Sequence, residues 1–336
     1  MLAKQLPRLT PDELDNAKKV ADVAQQTLSQ RMFGVSATID QLLIAFFSGG
    51  HILLEDVPGT GKTTLTKAFA RLLDLTFARI QCTPDLLPGD IVGGLIYSPK
   101  TGEFTLRKGP IFANVVLVDE INRALPRTQS ALLEAMAEGQ VTIDGETIAL
   151  PQPFMVIATQ NPLESQGVFP LPEAQLDRFL MKTSLGYPDL EDDVQILNWH
   201  LANEVVERST GSDEPTGIRA GVFDVQSLFA LLPRVYLHPD VIRYIAVLVR
   251  STREQPDVRI GASPRAMVML ARAARSRALL AGRPFVLPDD VKAVALPILM
   301  HRLTLQGYLD GQSDQEAKWM LRLLETVPAP LEDALS

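Results

Sequence analysis

The chain contains one cysteine, Cys82. No intramolecular disulfide can form, so the fold rests on non-covalent packing, as in a reducing compartment. A lone thiol with no second ligand beside it does not make a metal site; a small apolar residue at a strand end is the plainer reading. Histidine is also scarce: His51, His200, His238 and His301 are scattered, without zinc spacing or a Ser-His-Asp or Cys-His arrangement. Long apolar runs are missing. No window approaches ~20 uninterrupted apolar residues, so no membrane span is expected. The opening MLAKQLPRL has no apolar core long enough for a signal peptide. A cytoplasmic location is therefore the expectation. Positive charge is in deficit, 32 Lys and Arg against 40 Asp and Glu for a net charge of −8, which argues against a broad nucleic-acid surface.

What is present is ordinary for a globular protein, 336 residues of which 46% are hydrophobic, enough for two domains and a substantial core. Thr10-Pro11-Asp12-Glu13 reads as a helix start with a capping box. Leu14, Ala17, Ala21, Ala24 and Leu28 follow at helical spacing, and a second helix covers 39–47 before Gly49-Gly50. Strands are then predicted over 51–55, 76–81, 114–119, 154–159 and 181–185, with helices over 62–73, 126–138 and 172–180 between them. Continuous apolar strands alternating with helices predict a parallel sheet covered on both faces. Two hairpins interrupt this rhythm. One spans 95–107 around the turn SPKTG; the other spans 140–150 around Asp144-Gly145, a strong short-range hairpin signal. Working loops and stabilising edge hairpins are both open readings.

After Tyr187-Pro188 the pattern turns helical. Candidates cover 225–232, 239–252, 263–281 and 288–296, with Ser263-Pro264 and Pro288-Asp289-Asp290 as helix starts. The polar stretch 205–217 reads as a loop. The predicted division is therefore an α/β part over 1–187 and a helical part over 188–336.

Residues 55–64 read EDVPGTGKTT. Gly59 and Gly61 let the backbone turn its N–H groups toward an anion. The helix starting near Lys62 adds its positive end. Lys62 can reach terminal phosphates, and Thr63 offers a hydroxyl to Mg²⁺. Pro58, Thr60 and Thr64 complete the predicted nucleotide-binding segment. The common pattern GxxxxGK[ST] has Gly where this chain has Asp56. Residues 115–123 read VVLVDEINR, a buried strand ending in two acids. Asp119 is predicted to serve the Mg²⁺ shell, and Glu120 to orient or deprotonate the attacking water. Together the segments predict binding of a nucleoside triphosphate with magnesium, and its hydrolysis.

These segments resemble the Walker A and Walker B of the MoxR family of AAA+ ATPases, Asp56 included. TPDLLPGDIVGG, ALLEAMAEGQVT, VIATQNPLE, LPEAQLDRF and GASPRA carry the resemblance further, from about residue 15 to 305. It implies a three-layer αβα P-loop core with a parallel sheet, followed by an all-α lid. It implies that Asn161 is sensor 1, Arg178 an arginine finger acting on a neighbour's site, and Arg265 sensor 2. Phe33-Gly34-Val35 takes the place where such folds approach adenine. Arg123 and Arg127 read equally well as further trans-acting groups or surface charges, whereas Arg272, Arg275 and Arg277 read as a solvated face. The first hairpin becomes an insert in a core helix, and the second falls before sensor 1. A homo-oligomeric ring, a hexamer by family habit, is implied, with ATP and Mg²⁺ as ligands. So is a chaperone-like role on protein clients, often with a separate von Willebrand factor A domain partner. Two other readings stay open: an ATP-dependent assembly switch that barely hydrolyses, and a nucleic-acid motor using Lys100, Arg107 and Lys108. A magnesium-chelatase-like subunit is a close relative in the same class.

Overall fold

The structure, a computed structural model, describes the chain apart from residues 1–6, 31, 58, 101, 163–166, 211–223, 307–312 and 331–336; for 203–210, 313 and 314 it describes the backbone alone. Helices α1 (Pro11–Ser29) and α2 (Ser36–Phe47) lead into β1 (Ile52–Glu55) and α3 (Lys62–Leu72). The capping box at α1 forms as predicted. Thr10 Oγ1 accepts the Glu13 N–H, and Glu13 Oε2 accepts the Thr10 N–H at 2.8 Å. Arg234, from the helical part, grips the same Glu13 carboxylate through both oxygens at 2.6 and 2.7 Å.

Next come β2 (Phe77–Gln81), the short α4 (Pro88–Val92) and the hairpin β3 (Gly93–Ser98) with β4 (Glu103–Lys108). At its base, chains approach so closely that a Cβ on Gly93 would meet the Arg107 carbonyl oxygen, and one on Gly109 the Ile91 carbonyl oxygen. One turn of helix precedes this hairpin and none follows it before β5 (Val115–Asp119). Helix α5 (Pro126–Glu138), the hairpin β6 (Gln140–Ile143) with β7 (Glu146–Ala149), β8 (Met155–Gln160), α6 (Glu173–Leu176) and β9 (Met181–Thr183) complete the α/β part.

β1, β2, β5, β8 and β9 form one parallel sheet in the order β2-β5-β8-β1-β9. Alternation along each strand splits its side chains between two apolar layers. Ile52, Leu54, Val115, Leu117, Met155 and Ile157 pack with α1–α3 on one side. Leu53, Val116, Val118, Val156 and Ala158 pack with α5 on the other. This is the three-layer αβα arrangement predicted, and it sets the C-terminal ends of β1, β2, β5 and β8 along one edge.

The helical part holds α7 (Leu190–Thr210), α8 (Val225–Leu231), α9 (Pro239–Ser251), the strand β10 (Val258–Ile260), α10 (Pro264–Leu280) and α11 (Pro288–Leu299). A 3-10 turn (Met300–Arg302), β11 (Thr304–Leu305) paired with β10, and α12 (Ser313–Thr326) follow. Its apolar residues, among them Leu248, Leu270, Ala274 and Ile298, are continuous with the layer carrying α1–α3. Ser48 at the end of α2 meets Ser276 of α10, oxygen to oxygen, at 2.9 Å.

Three element readings need correction. The helix expected over 172–180 stops at Leu176. Phe179 and Leu180 are buried, and the Leu180 N–H donates to the His51 carbonyl at 2.8 Å, so the sheet claims them. The loop expected from 205 does not begin there, because α7 continues to Thr210; the first strong breaker is Gly211, and 211–217 lie outside the described residues. α7 and α12 add to the four helices expected after residue 187. Their signals were present: Asp189 accepts the Asp192 N–H at 2.8 Å as a cap, and Trp319, Met320 and Leu323 form the buried side of α12. No helix among the described residues is long and apolar enough to cross a membrane.

Candidate active site

A cleft opens at the C-terminal edge of the sheet. It gathers residues 59–64 and Asp56 from the β1–α3 connection, Arg79 and Gln81 from β2, Asp119 and Glu120 from β5, and Thr159, Gln160 and Asn161 from β8. Every predicted Walker A and Walker B residue lies here except Pro58, which is outside the described residues. Gly59 and Gly61 have φ of +87° and +83°, the left-handed region that glycine enters without Cβ strain. Gly61 caps α3, so the first N–H groups of that helix face the cleft mouth.

Lys62 Nζ donates to the Val57 carbonyl at 2.7 Å and to Thr60 Oγ1 at 3.2 Å, which closes the loop on itself. Burial pulls the Lys62 pKa down, against the opposing pull of Asp56, Asp119 and Glu120. The Met32 side chain lies over Gly61, since a Cβ there would meet Met32 Cε at 2.9 Å. Met32, immediately before Phe33–Val35, therefore borders the phosphate loop, while Gly34 faces Asp192.

Asp119 is buried. Its Oδ2 accepts Arg79 Nε at 2.6 Å, and its Oδ1 accepts the Thr159 hydroxyl at 3.4 Å. Glu120 has φ +55°, uncommon for a residue with a side chain. It is held there by its N–H donating to Thr159 Oγ1 at 2.9 Å. Its carboxylate accepts Gln81 Nε2 at 3.0 Å and Arg123 at 3.2 Å. Cys82 lies beneath these acids; burial, then Asp119 and Glu120, push its thiol up to about 12. It is a buried neutral thiol, as the plainer reading had it, and no nucleophile.

The donor set fits a magnesium nucleotide. Thr63 and Asp119 offer hard oxygen ligands, and no cluster of three His, Cys, Asp or Glu side chains forms a metal cage among the described residues. Mg²⁺ takes one or two protein oxygens and completes its shell with phosphates and water.

Arg178 and Arg265 are not in the cleft lining. Arg178 is half-buried and donates to the Leu133 carbonyl of α5 at 2.6 Å. Arg265 is exposed in the first turn of α10, behind the Ser263 cap; burial pulls the Arg302 pKa down, and the charge of Arg265 adds to that. Sequence reasoning missed Arg79, Gln81 and Thr159. A signal existed: in Phe77–Gln81 the polar residues Arg79 and Gln81 alternate with buried Ile80, and Gln81 pairs in register with Asp119.

Residues 51–181 match the ATPase family associated with various cellular activities (AAA), and 250–318 match the AAA lid domain. The Bacillus subtilis protein YeaC, itself uncharacterized, is 43% identical over 86% of this chain and 88% of its own length. Chaperone MoxR1 of Mycobacterium tuberculosis is 40% identical over 90% of this chain and 80% of its own. The crystal structure of a candidate ATPase from Cytophaga hutchinsonii superposes with a TM-score of 0.81 at 36% identity, covering 95% of this chain and 98% of that one.

Proposed function

The chain belongs to the MoxR family of AAA+ ATPases, and from that premise we propose that it hydrolyses ATP with Mg²⁺ in this cleft and uses the cycle to remodel protein complexes. The observation that carries the reading is Glu120, set at the cleft beside the buried Asp119 and facing the phosphate loop. We divide the chain into a core over 1–187 and a lid over 188–336.

In this reading residues 59–64 wrap the phosphates through backbone N–H groups, and Lys62 exchanges its loop contacts for terminal phosphate oxygens. Thr63 and Asp119 would hold the metal, which when bound draws charge off the phosphate oxygens. Glu120 orients a water and accepts its proton as the water oxygen bonds to the γ-phosphorus; the bond from phosphorus to the β–γ bridging oxygen breaks and that oxygen leaves with ADP. Asn161 holds the water or a γ-phosphate oxygen, and Arg265 reaches the γ-phosphate from the same chain when the lid closes.

Arg178 serves a neighbour's site, where such a guanidinium is worth ~10³–10⁵ in rate. A ring follows, a hexamer in our reading, working in the cytoplasm on a protein client with a von Willebrand factor A domain protein as partner. The hold of Gln81 and Arg123 on Glu120 favours a second reading, an ATP-dependent assembly switch with little turnover.

Magnesium-dependent ATP turnover per chain, followed over a wide range of protein concentration, separates the two. Specific activity that rises with concentration and vanishes in Glu120→Gln supports the ATPase. Tight ATP binding with no Glu120-dependent turnover at any concentration supports the switch.

A further inference from the structure

The turn that carries Arg178 belongs to the α/β part by sequence and is tied there by Leu133 and His51, but Asp177 and Phe179, on either side of Arg178, are also gripped from the helical part. Arg302, in the 3-10 turn after α11, donates through Nε to Asp177 Oδ1 at 2.7 Å. A second nitrogen of the same guanidinium donates to the Asp177 carbonyl at 3.1 Å and also to the Phe179 carbonyl. The third donates to the Leu180 carbonyl at 3.2 Å. Arg302 thus holds the residues on both sides of Arg178. Nearby, Thr304 donates to Glu173 Oε1 at 2.7 Å, and Arg259 lies 3.7 Å from the same carboxylate.

The Arg302 side chain is 2% exposed and that of Asp177 24%. An ion pair this buried cannot separate at low cost, because a lone guanidinium would be stranded away from water. When Arg302 moves, Asp177 moves with it. Arg178, by contrast, is held to its own core by a hydrogen bond to a neutral carbonyl, Leu133, which a better acceptor on another subunit can replace.

We infer that Arg302 is a positioning residue for Arg178: by gripping Asp177 and Phe179 from the lid, it aims the arginine finger that this subunit offers to its neighbour. The inference rests on the reading that Arg178 acts in trans. The aim of the finger is then set by the lid as well as by the edge of the sheet.

The test mixes chains. Lys62→Ala chains have no working site but an intact finger; Arg178→Ala chains have a working site and no finger. Their mixture recovers turnover if the finger acts in trans. Asp177→Asn, close in shape to the native residue, is then added to one parent at a time, with melting temperature and mixed assembly measured for each. Added to the finger donor it lowers the recovered turnover by about tenfold to a hundredfold, the cost of a misplaced catalytic group. Added to the site-bearing Arg178→Ala chain it changes the recovery by less than a factor of two. Arg302→Lys, which keeps the charge but loses the fork, gives the same donor-only pattern. Equal loss in either chain, or no loss in the donor, overturns the inference. No recovery in the parent mixture, with mixed rings present, removes the trans reading itself and the inference with it.

Discussion

The Asp56 carboxylate accepts the Leu185 N–H through both of its oxygens, at 3.1 and 2.9 Å. It also accepts the Gly186 N–H at 3.1 Å. Asp56 opens the phosphate loop at the position where the common motif has glycine, and Leu185-Gly186 is where the chain leaves the sheet for α7. The residue that departs from the motif is thus a tether between the nucleotide loop and the exit toward the lid. Burial raises the Asp56 pKa, partly offset by those same backbone hydrogen bonds and by Lys62; the charge is costly there and the acceptors are useful.

Asp56→Ala should accordingly destabilise by about 2 kcal/mol, since it leaves two N–H groups without their acceptor. Asp56→Asn, which keeps an acceptor and removes the charge, should stay within about 1 kcal/mol of the parent. Chemical denaturation of the three chains checks this. A larger loss in Asn than in Ala would refute the tether.

In the proposed site Arg79, paired with Asp119 at 2.6 Å, would compete with a metal for that carboxylate. Its side chain is half exposed, so the pair is worth little, at most ~1 kcal/mol. Arg79→Ala should therefore lower the magnesium concentration for half-maximal turnover by no more than about fivefold. A rise in that concentration would show that Arg79 prepares the carboxylate rather than blocks it.

The first hairpin presents Leu95, Tyr97, Phe104 and Leu106 on one face, and all four are exposed. Tyr97 and Phe104 meet across the strands with ring centroids 5.3 Å apart. Tyr97→Ala and Phe104→Ala should shift stability by only ~1 kcal/mol or less, leave the ATP turnover of the isolated protein unchanged, and abolish its response to a client. A salt-sensitive DNA mobility shift lost on Lys108→Glu would instead favour the nucleic-acid motor.

His51 is buried and neutral. Its Nδ1 accepts the Val156 N–H at 3.0 Å, so Nε2 carries the proton and donates to the Met136 carbonyl at 2.9 Å. Burial lowers its pKa to about 4 from an ordinary 6.5. The unfolded chain binds this proton first as pH falls, so stability is full above pH 6.5 and is lost between pH 6.5 and about 4. The loss attributable to His51 is about 3 kcal/mol. His301, also buried and held well below 6.5, adds to it with the same sign. His51→Gln should flatten the fall in unfolding free energy over this range; an unchanged slope would place the proton uptake elsewhere.

Much of this molecule was legible before folding because its signals are local. A glycine pair that must turn, a lysine at a helix start and two acids at the end of an apolar run define chemistry within ten residues each. Continuous apolar runs and helix caps likewise predicted the sheet and most helices. Harder cases were local competitions decided at a distance. Phe179 and Leu180 fit a helix until the His51 carbonyl draws Leu180 into the sheet.

The sequence by itself determined the fold class, the phosphate loop and the two acids. Only the tertiary structure decided which side chains those acids meet. The hold of Gln81 on Glu120 spans 39 residues of chain, that of Asp56 on Leu185 spans 129, and that of Arg302 on Asp177 spans 125. No periodicity or spacing carries such pairings. They arise when the sheet order brings β2 beside β5, and when the helical part closes a continuous apolar layer over α1–α3. Burial then turns ordinary surface residue types into partners, because a buried charge without one is costly.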